Sequence, residues 1–211
     1  MMKLSYVPAL SIILICSVAS YSQRRDSSIR RINFANFTYP YSVGLLLPSD
    51  RQRSFRLRSG SFPETKSAVG MSLGHVFYGD VTGDGSEEAM VYLDVYTNGS
   101  ARPGCLYIYR MSDGRPQLLW AFDTGSRNYG GLRQVYADGG KLVVELYGRA
   151  KIIGRDLFTD DGTSAQTSYP YAITRTRYRW RMNRFSLVGK PEEFLDPNPN
   201  KYGIPLFALK S

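Results

Sequence analysis

The stretch from Val76 to Leu93 decides the fold, and it reads Val-Phe-Tyr-Gly-Asp-Val-Thr-Gly-Asp-Gly-Ser-Glu-Glu-Ala-Met-Val-Tyr-Leu. An apolar run stands at each end, and an acidic, glycine-rich loop at 80–88 lies between them. Short runs of β-branched and aromatic residues bounded by turn residues are typical of β-strands. The stretch therefore predicts two strands joined by this loop.

The loop 80–88 carries oxygen atoms at regularly spaced positions. Its side-chain oxygens belong to the first, third, fifth and ninth residues, and the seventh offers a backbone carbonyl; the five are Asp80, Thr82, Asp84, Glu88 and Ser86. Gly83 and Gly85 allow the positive φ angles that fold such oxygens onto one point. Because Ca²⁺ takes six to eight oxygen ligands, the pattern predicts a weak Ca²⁺ site. The alternative is an acidic turn whose Asp and Gly residues serve only the backbone.

Residues Tyr78–Val91 resemble the calcium loop of FG-GAP/VCBS-type, integrin-α-like repeats. In that family the first, third, fifth and ninth loop residues bind Ca²⁺ between two strands, which implies Asp80, Thr82, Asp84 and Glu88 here. The motif occurs once in this chain, and a propeller needs at least about four blades. The resemblance therefore implies a calcium loop without implying the propeller of the family.

The rest of the chain reads as a β meander. Apolar or alternating segments are separated by turn residues such as Asp138-Gly139-Gly140, and a last hairpin is centred on Met182-Asn183. The 16 Tyr and 10 Phe residues favour β-rich packing. We therefore predict a mainly β fold: a single antiparallel meander domain, either a sandwich or a partly closed barrel, and not a full propeller.

The N-terminal segment predicts export. Lys3 gives a positive start, Val7–Val18 is almost wholly apolar, and small residues from Ser17 to Ser20 offer a signal-peptidase site. The apolar run is shorter than the roughly 20 residues of a transmembrane helix. We expect a secreted or periplasmic protein that is not an integral membrane protein; a retained anchor and a lipoprotein modified at Cys16 are the alternatives.

Four segments follow from these patterns. We predict a signal peptide at 1–22, a flexible basic leader at 23–31, the β domain at 32–190 with its calcium-type loop at 80–88, and a Pro-rich irregular tail at 191–211. Within the domain, 149–170 shows no clear period and predicts a long surface loop or a poorly ordered insert.

A stripe of arginines marks the last predicted hairpin. The chain has a formal net charge of +9, and its arginines alternate with other residues at Arg175, Arg177, Arg179 and Arg181. Alternate residues of a strand face opposite sides, so the four share one predicted face. That face predicts binding of lipopolysaccharide phosphates, acidic glycans or a protein partner; the alternative is a basic solvated face. Export disfavours intracellular nucleic acid.

The sequence contains no recognisable catalytic motif. His75 is the single histidine, and its nearest carboxylate in sequence, Asp80, belongs to the loop. Asp160-Asp161-Gly162 reads as a second acidic turn, and Cys105 reads as a core residue. We expect a non-enzymatic, calcium-stabilised β module that binds a partner or a polyanion. The alternative is an extracytoplasmic, glycan-active hydrolase, because carboxylate pairs meet only in space.

Overall fold

A computed structural model describes residues 28–40, 54–62, 70–96, 103–126, 131–153, 156–159 and 172–197. The predicted signal peptide, the acidic turn at 160–162 and the end of the predicted tail lie outside these ranges. Within the described ranges, no helix has the length and the apolar character needed to cross a membrane.

The first described residues form two short 3-10 turns, Ile29–Arg31 and Phe34–Asn36, followed by a two-stranded sheet of β1 (Thr38–Pro40) and β2 (Ser54–Arg56). The sequence predicts a flexible leader at 23–31, with the β domain beginning at residue 32. Instead, Ile29 is buried, and the rings of Phe34 and Phe37 pack edge to face at 5.3 Å. Burial of Ile29 and Phe34 against the domain outweighs the polar and basic composition that predicts a flexible leader.

The first large sheet is an antiparallel meander in the order β3-β4-β5-β6-β7. Its strands are β3 (Ser61–Phe62), β4 (Gly70–Gly79), β5 (Glu88–Tyr96), β6 (Gly104–Ser112) and β7 (Arg115–Gly125). The acidic loop connects β4 to β5, as the sequence predicts. The loop therefore joins two strands that are paired along nearly their whole length.

The second large sheet has the order β13-β12-β9-β8, and β14 also pairs with β12. The remaining strands of the chain are β8 (Leu132–Ala137), β9 (Leu142–Tyr147), β10 (Ala150–Ile153), β11 (Asp156–Thr159), β12 (Ala172–Arg181), β13 (Arg184–Leu187) and β14 (Glu192–Leu195). β10 and β11 pair with each other in the region predicted to be irregular. β14 corrects the prediction of an irregular tail from residue 191, because four residues suffice to pair with the exposed edge of β12.

Two apolar cores flank the first large sheet. On one face it packs against the N-terminal turns and β1–β2, around Tyr39, Phe55 and Tyr107. On the other face it packs against the second large sheet, where Ile108 and Phe122 lie in one cluster with residues of β9 and β12. The mainly β, antiparallel fold is confirmed. Within the described residues the two large sheets pack against each other, and they do not form a closed barrel.

Candidate functional site

Asp80 closes the acidic loop on itself. One carboxylate oxygen accepts a hydrogen bond from the amide of Gly83 at 2.6 Å, and the other accepts from the amide of Gly85 at 2.9 Å. Both glycines have positive φ, +79° and +84°, where a side chain would be strained. This is the local reason for a Gly-Asp-Gly sequence in the loop.

A second constraint on the loop comes from the turn between β8 and β9. A Cβ atom on Gly140 would lie 2.8 Å from the Cα of Gly83, so the two backbones approach too closely for any side chain. The acidic loop is therefore packed against the second sheet. The sequence predicts a turn at residue 140 but not this contact, since it joins residues far apart in the chain.

Glu88 is completely buried where β5 begins. One of its oxygens accepts from the amides of Val81 at 2.9 Å and Thr82 at 3.2 Å, and the other accepts from the Thr82 hydroxyl at 3.2 Å. No Lys or Arg side chain in the described ranges pairs with it. Burial raises the pKa of Glu88 to about 7; the amide of Val81 opposes this rise and the charge of Asp84 adds to it.

The loop brings together some of its predicted ligands. Thr82 contacts Glu88 directly, and Asp84, whose Oδ1 accepts from the Ser86 amide at 2.8 Å, is close enough to act on Glu88 electrostatically. Asp80 faces the loop amides instead. Across the described residues, no three or more His, Cys, Asp or Glu side chains form a group able to hold a metal ion.

The oxygen atoms of the loop still suit a hard cation such as Ca²⁺. Each oxygen of Asp80 accepts a hydrogen bond from one amide, and Asp84 accepts one from the Ser86 amide through a single oxygen. A carboxylate has about four lone-pair sites, so these groups keep acceptor capacity. Ca²⁺ prefers such oxygen ligands. Asp80, Thr82, Asp84 and Glu88, with the Ser86 carbonyl, would hold the ion, which would neutralise the charges of this loop.

Glu87 has a different role from its neighbour. Its carboxylate accepts a hydrogen bond from the Arg30 side chain at 2.6 Å, and the Arg30 guanidinium lies 4.4 Å from the centre of the Tyr78 ring. This exposed ion pair lowers the pKa of Glu87. Glu87 thus ties the loop to the N-terminal turn rather than offering a further ligand.

The arginine stripe lies on the outer face of the second sheet. Along β12, Thr174, Thr176 and Tyr178 are buried toward the other sheet, whereas the intervening arginines are partly exposed and Arg181 is exposed. The structure thus places all four predicted arginines on one face, as the alternation requires. The stripe consists of two halves. Arg175 and Arg177 have acidic partners, whereas Arg179 and Arg181 have none among the described residues.

The inner half of the stripe is neutralised by acidic side chains. Arg175 donates to the buried carboxylate of Glu145 at 2.7 Å, and Arg133 donates to the other oxygen of Glu145. Arg177 pairs with Glu192 on β14 and lowers the pKa of Glu192. These contacts pair the buried carboxylate of Glu145 with two arginine side chains.

The outer half of the stripe is Arg179 and Arg181, to which the structure adds Arg184. Within the described part of the chain, none of the three makes an ion pair or a hydrogen bond. Arg184 stands directly opposite Arg181 in the β12–β13 pairing. The alternating arginines of the sequence do not include Arg184, although the two-residue turn at Met182-Asn183 implies this register. We call Arg179, Arg181 and Arg184 the hairpin cluster.

The two side chains most suited to nucleophilic chemistry lie apart from both sites. Cys105 is buried in the first core, as predicted, and burial raises the pKa of its thiol. His75 is exposed on β4, with its ring 5.8 Å from the ring of Phe77. Comparison with known proteins adds no analogy: no protein-family model and no curated protein matches the chain.

Proposed function

We propose that this protein is an exported, non-enzymatic β module that binds a polyanion through the hairpin cluster and is stabilised by Ca²⁺ at the loop 80–88. The observation that carries the proposal is the hairpin cluster itself, three arginines without an acidic partner in the described residues. The guanidinium group matches the geometry of phosphate, sulfate and carboxylate groups and stays charged at every physiological pH.

The placement of the hairpin cluster also favours an anionic ligand. Arg181 and Arg184 face each other across β12 and β13. Side chains at such positions have Cβ atoms roughly 4.5–5.5 Å apart, and like charges there are destabilising. An anion bound between the two guanidinium groups removes this repulsion. The inner half of the stripe lacks this property because Arg175 and Arg177 already have carboxylate partners.

The calcium part of the proposal rests on the loop. Asp84 and Glu88 repel each other, and Glu88 is buried with no basic side chain beside it among the described residues. A cation reverses this repulsion, and it would fix the register of β4 and β5 on either side of the loop. Because the loop has no bidentate Glu at position 12, we expect a Kd on the order of 10⁻⁴–10⁻³ M, as in extracellular modules.

Heparin chromatography tests the polyanion proposal with two triple variants of equal charge. The first replaces the hairpin cluster (Arg179→Gln, Arg181→Gln, Arg184→Gln), and the second replaces three exposed arginines elsewhere (Arg56→Gln, Arg58→Gln, Arg115→Gln). We expect the first variant to elute at a much lower salt concentration, since it loses the contacts that release counterions. The second should elute close to the wild type.

The two variants lose the same formal charge, so their comparison separates a site from general electrostatic attraction. Equal losses of retention would show that the net charge of +9 acts without a specific site, and the proposal would then fail. Unchanged retention of the first variant would also reject it.

A further inference from the structure

The hairpin cluster lies on a part of the second sheet that extends beyond its neighbours. β12 pairs with β9 only as far as Tyr178, and β14 pairs with the opposite end of β12. Among the described strands, β12 pairs only with β13 from Arg179 onward. Residues 179–186 therefore form a two-stranded ribbon beyond the end of the β9 pairing.

The tip of this ribbon is unfavourable for the stability of the folded chain. Met182 and Asn183 both have positive φ, +49° and +60°, the pattern of a type I′ turn. Asn-Gly and Asp-Gly are the preferred sequences for that turn, and a methionine with positive φ is uncommon. In addition, the Met182 side chain is 91% exposed to solvent.

The hairpin between β6 and β7 shows what the ribbon lacks. It has the same two-residue turn, with positive φ at Asp113 (+51°) and Gly114 (+73°), and its flanking pair is Ser112 and Arg115. That turn uses the favoured Asp-Gly sequence and places no like charges opposite each other. The β12–β13 ribbon instead combines an exposed apolar tip with two facing arginines.

An aromatic cluster lies directly behind the tip of the ribbon, on the face opposite the hairpin cluster. The ring of Phe185 stacks on Trp120 with 5.3 Å between ring centres and contacts Trp180 at 4.8 Å. Trp120 belongs to β7 and packs against the core between the sheets. The ribbon therefore contacts the first sheet through Phe185.

We propose that this ribbon docks on an anionic phospholipid surface, with Met182 inserted below the headgroups and the hairpin cluster bound to lipid phosphates. The inference rests on the proposed polyanion binding and names its partner. A soluble acidic glycan would satisfy the arginines but would leave the thioether of Met182 in water. A bilayer interface places lipid phosphates next to an apolar layer, into which amphipathic segments bury their apolar face by about 5–10 Å, and this matches a tip of this composition.

Co-sedimentation with lipid vesicles tests this inference. The purified protein is mixed with phosphatidylcholine vesicles that either contain or lack phosphatidylglycerol. The informative variant is Met182→Asn, which removes the apolar tip but favours the positive φ of the turn. We expect it to melt at or above the wild-type temperature and to bind anionic vesicles about fivefold more weakly, the effect of losing part of one buried apolar side chain.

The same variants on heparin separate this inference from the proposed function. Met182→Asn should keep its retention on heparin, whereas the triple variant of the hairpin cluster should lose both heparin and vesicle binding. Leu195→Thr is the matched control, because Leu195 is 58% exposed on β14 and lies outside the ribbon. It should bind vesicles as the wild type does.

Three outcomes would overturn the lipid inference. They are equal vesicle binding by Met182→Asn and the wild type, binding that does not depend on phosphatidylglycerol, and no vesicle binding by a protein that heparin still retains through the hairpin cluster. The last outcome would identify a soluble polyanion as the partner. Failure of the proposed function looks different, since the triple variant of the hairpin cluster would then keep its heparin retention or lose no more of it than the control triple variant.

Discussion

Glu88 and Glu145 are both buried carboxylates in central strands, but the fold satisfies them in opposite ways. Glu145 on β9 receives hydrogen bonds from Arg133 and Arg175, and from the Tyr136 hydroxyl at 3.3 Å. Glu88 on β5 receives only backbone amides and the Thr82 hydroxyl. The carboxylate of Glu145 is thus balanced by two arginine side chains, and that of Glu88 only by backbone amides and a hydroxyl group.

This difference determines which changes in the solution or in the chain should affect each glutamate. Removing a charge from water is costly, and a partner of opposite charge offsets that cost only in good geometry. Glu145 has such partners, so the stability of the folded protein should depend on keeping both arginines. Glu88 has none among the described residues, so it should respond to protons and to external cations, as its raised pKa indicates. The three predictions below test this contrast.

The largest effect should follow from removing both arginines that pair with Glu145. The double variant Arg133→Met, Arg175→Met leaves a buried, unpaired carboxylate, and we expect the free energy of unfolding to fall by about 3–5 kcal/mol. Urea denaturation at neutral pH measures this change. Adding Glu145→Met to the double variant should restore most of the loss, because an apolar replacement of a buried ion cluster is often neutral. A triple variant no more stable than the double would show that packing, not the stranded charge, causes the loss.

The next effect concerns the pH dependence that Glu88 imposes. Its pKa of about 7 in the folded state exceeds its ordinary value of 4.5, so the folded protein keeps a proton that the unfolded chain releases. The free energy of unfolding should therefore fall as the pH rises from about 4.5 to about 7 and level off above that, with a total change on the order of 3 kcal/mol.

Denaturation in EDTA across this range, for the wild type and Glu88→Gln, isolates the contribution of Glu88. The variant should lack this part of the slope, because glutamine has no proton to release. Identical pH profiles for the wild type and Glu88→Gln would mean that amide hydrogen bonds satisfy the charged form of Glu88 fully.

The sequence predicts features that depend on neighbours along the chain, and misses those that join distant strands. The alternation of β12 and the hairpin at Met182-Asn183 are local, and the structure has both. The partners of Glu145 come from β8 and β12, which no local pattern can specify. A usable signal existed: a glutamate within the apolar strand Leu142–Tyr147 requires a partner once it is buried.

Two misleading signals have the same origin. The prolines after residue 190 predict an irregular tail, but Glu192 and Glu193 stand opposite Arg175 and Thr174 in the pairing of β14 with β12. Likewise, the basic composition of residues 23–31 predicts a flexible leader, although Ile29 is buried. In both places, contacts with residues elsewhere in the fold outweigh local composition. The acidic loop is the converse case, since its Gly-Asp-Gly geometry is local and was predictable.

The smallest effect should be the response to calcium, which sharpens the contrast between the two glutamates. If Asp80, Thr82, Asp84 and Glu88 bind Ca²⁺ with the expected weak affinity, about 1 mM Ca²⁺ should raise the free energy of unfolding by about 0.5–1.5 kcal/mol through mass action. The melting temperature should rise by a few degrees relative to EDTA. Mg²⁺ should replace Ca²⁺ poorly, because it requires a smaller octahedral site and loses its water reluctantly.

Isosteric variants locate this response within the loop. Asp84→Asn keeps an oxygen for the Ser86 amide but removes a charge, so the rise in melting temperature on adding Ca²⁺ should largely disappear. Glu87→Gln is the matched control, because it removes an acid of the same loop that pairs with Arg30. Its rise in melting temperature on adding Ca²⁺ should equal that of the wild type. Ser112→Ala in the β6–β7 hairpin should also leave this rise unchanged. A melting temperature that neither EDTA nor millimolar Ca²⁺ changes would establish the loop as an acidic turn in which amides alone satisfy Glu88.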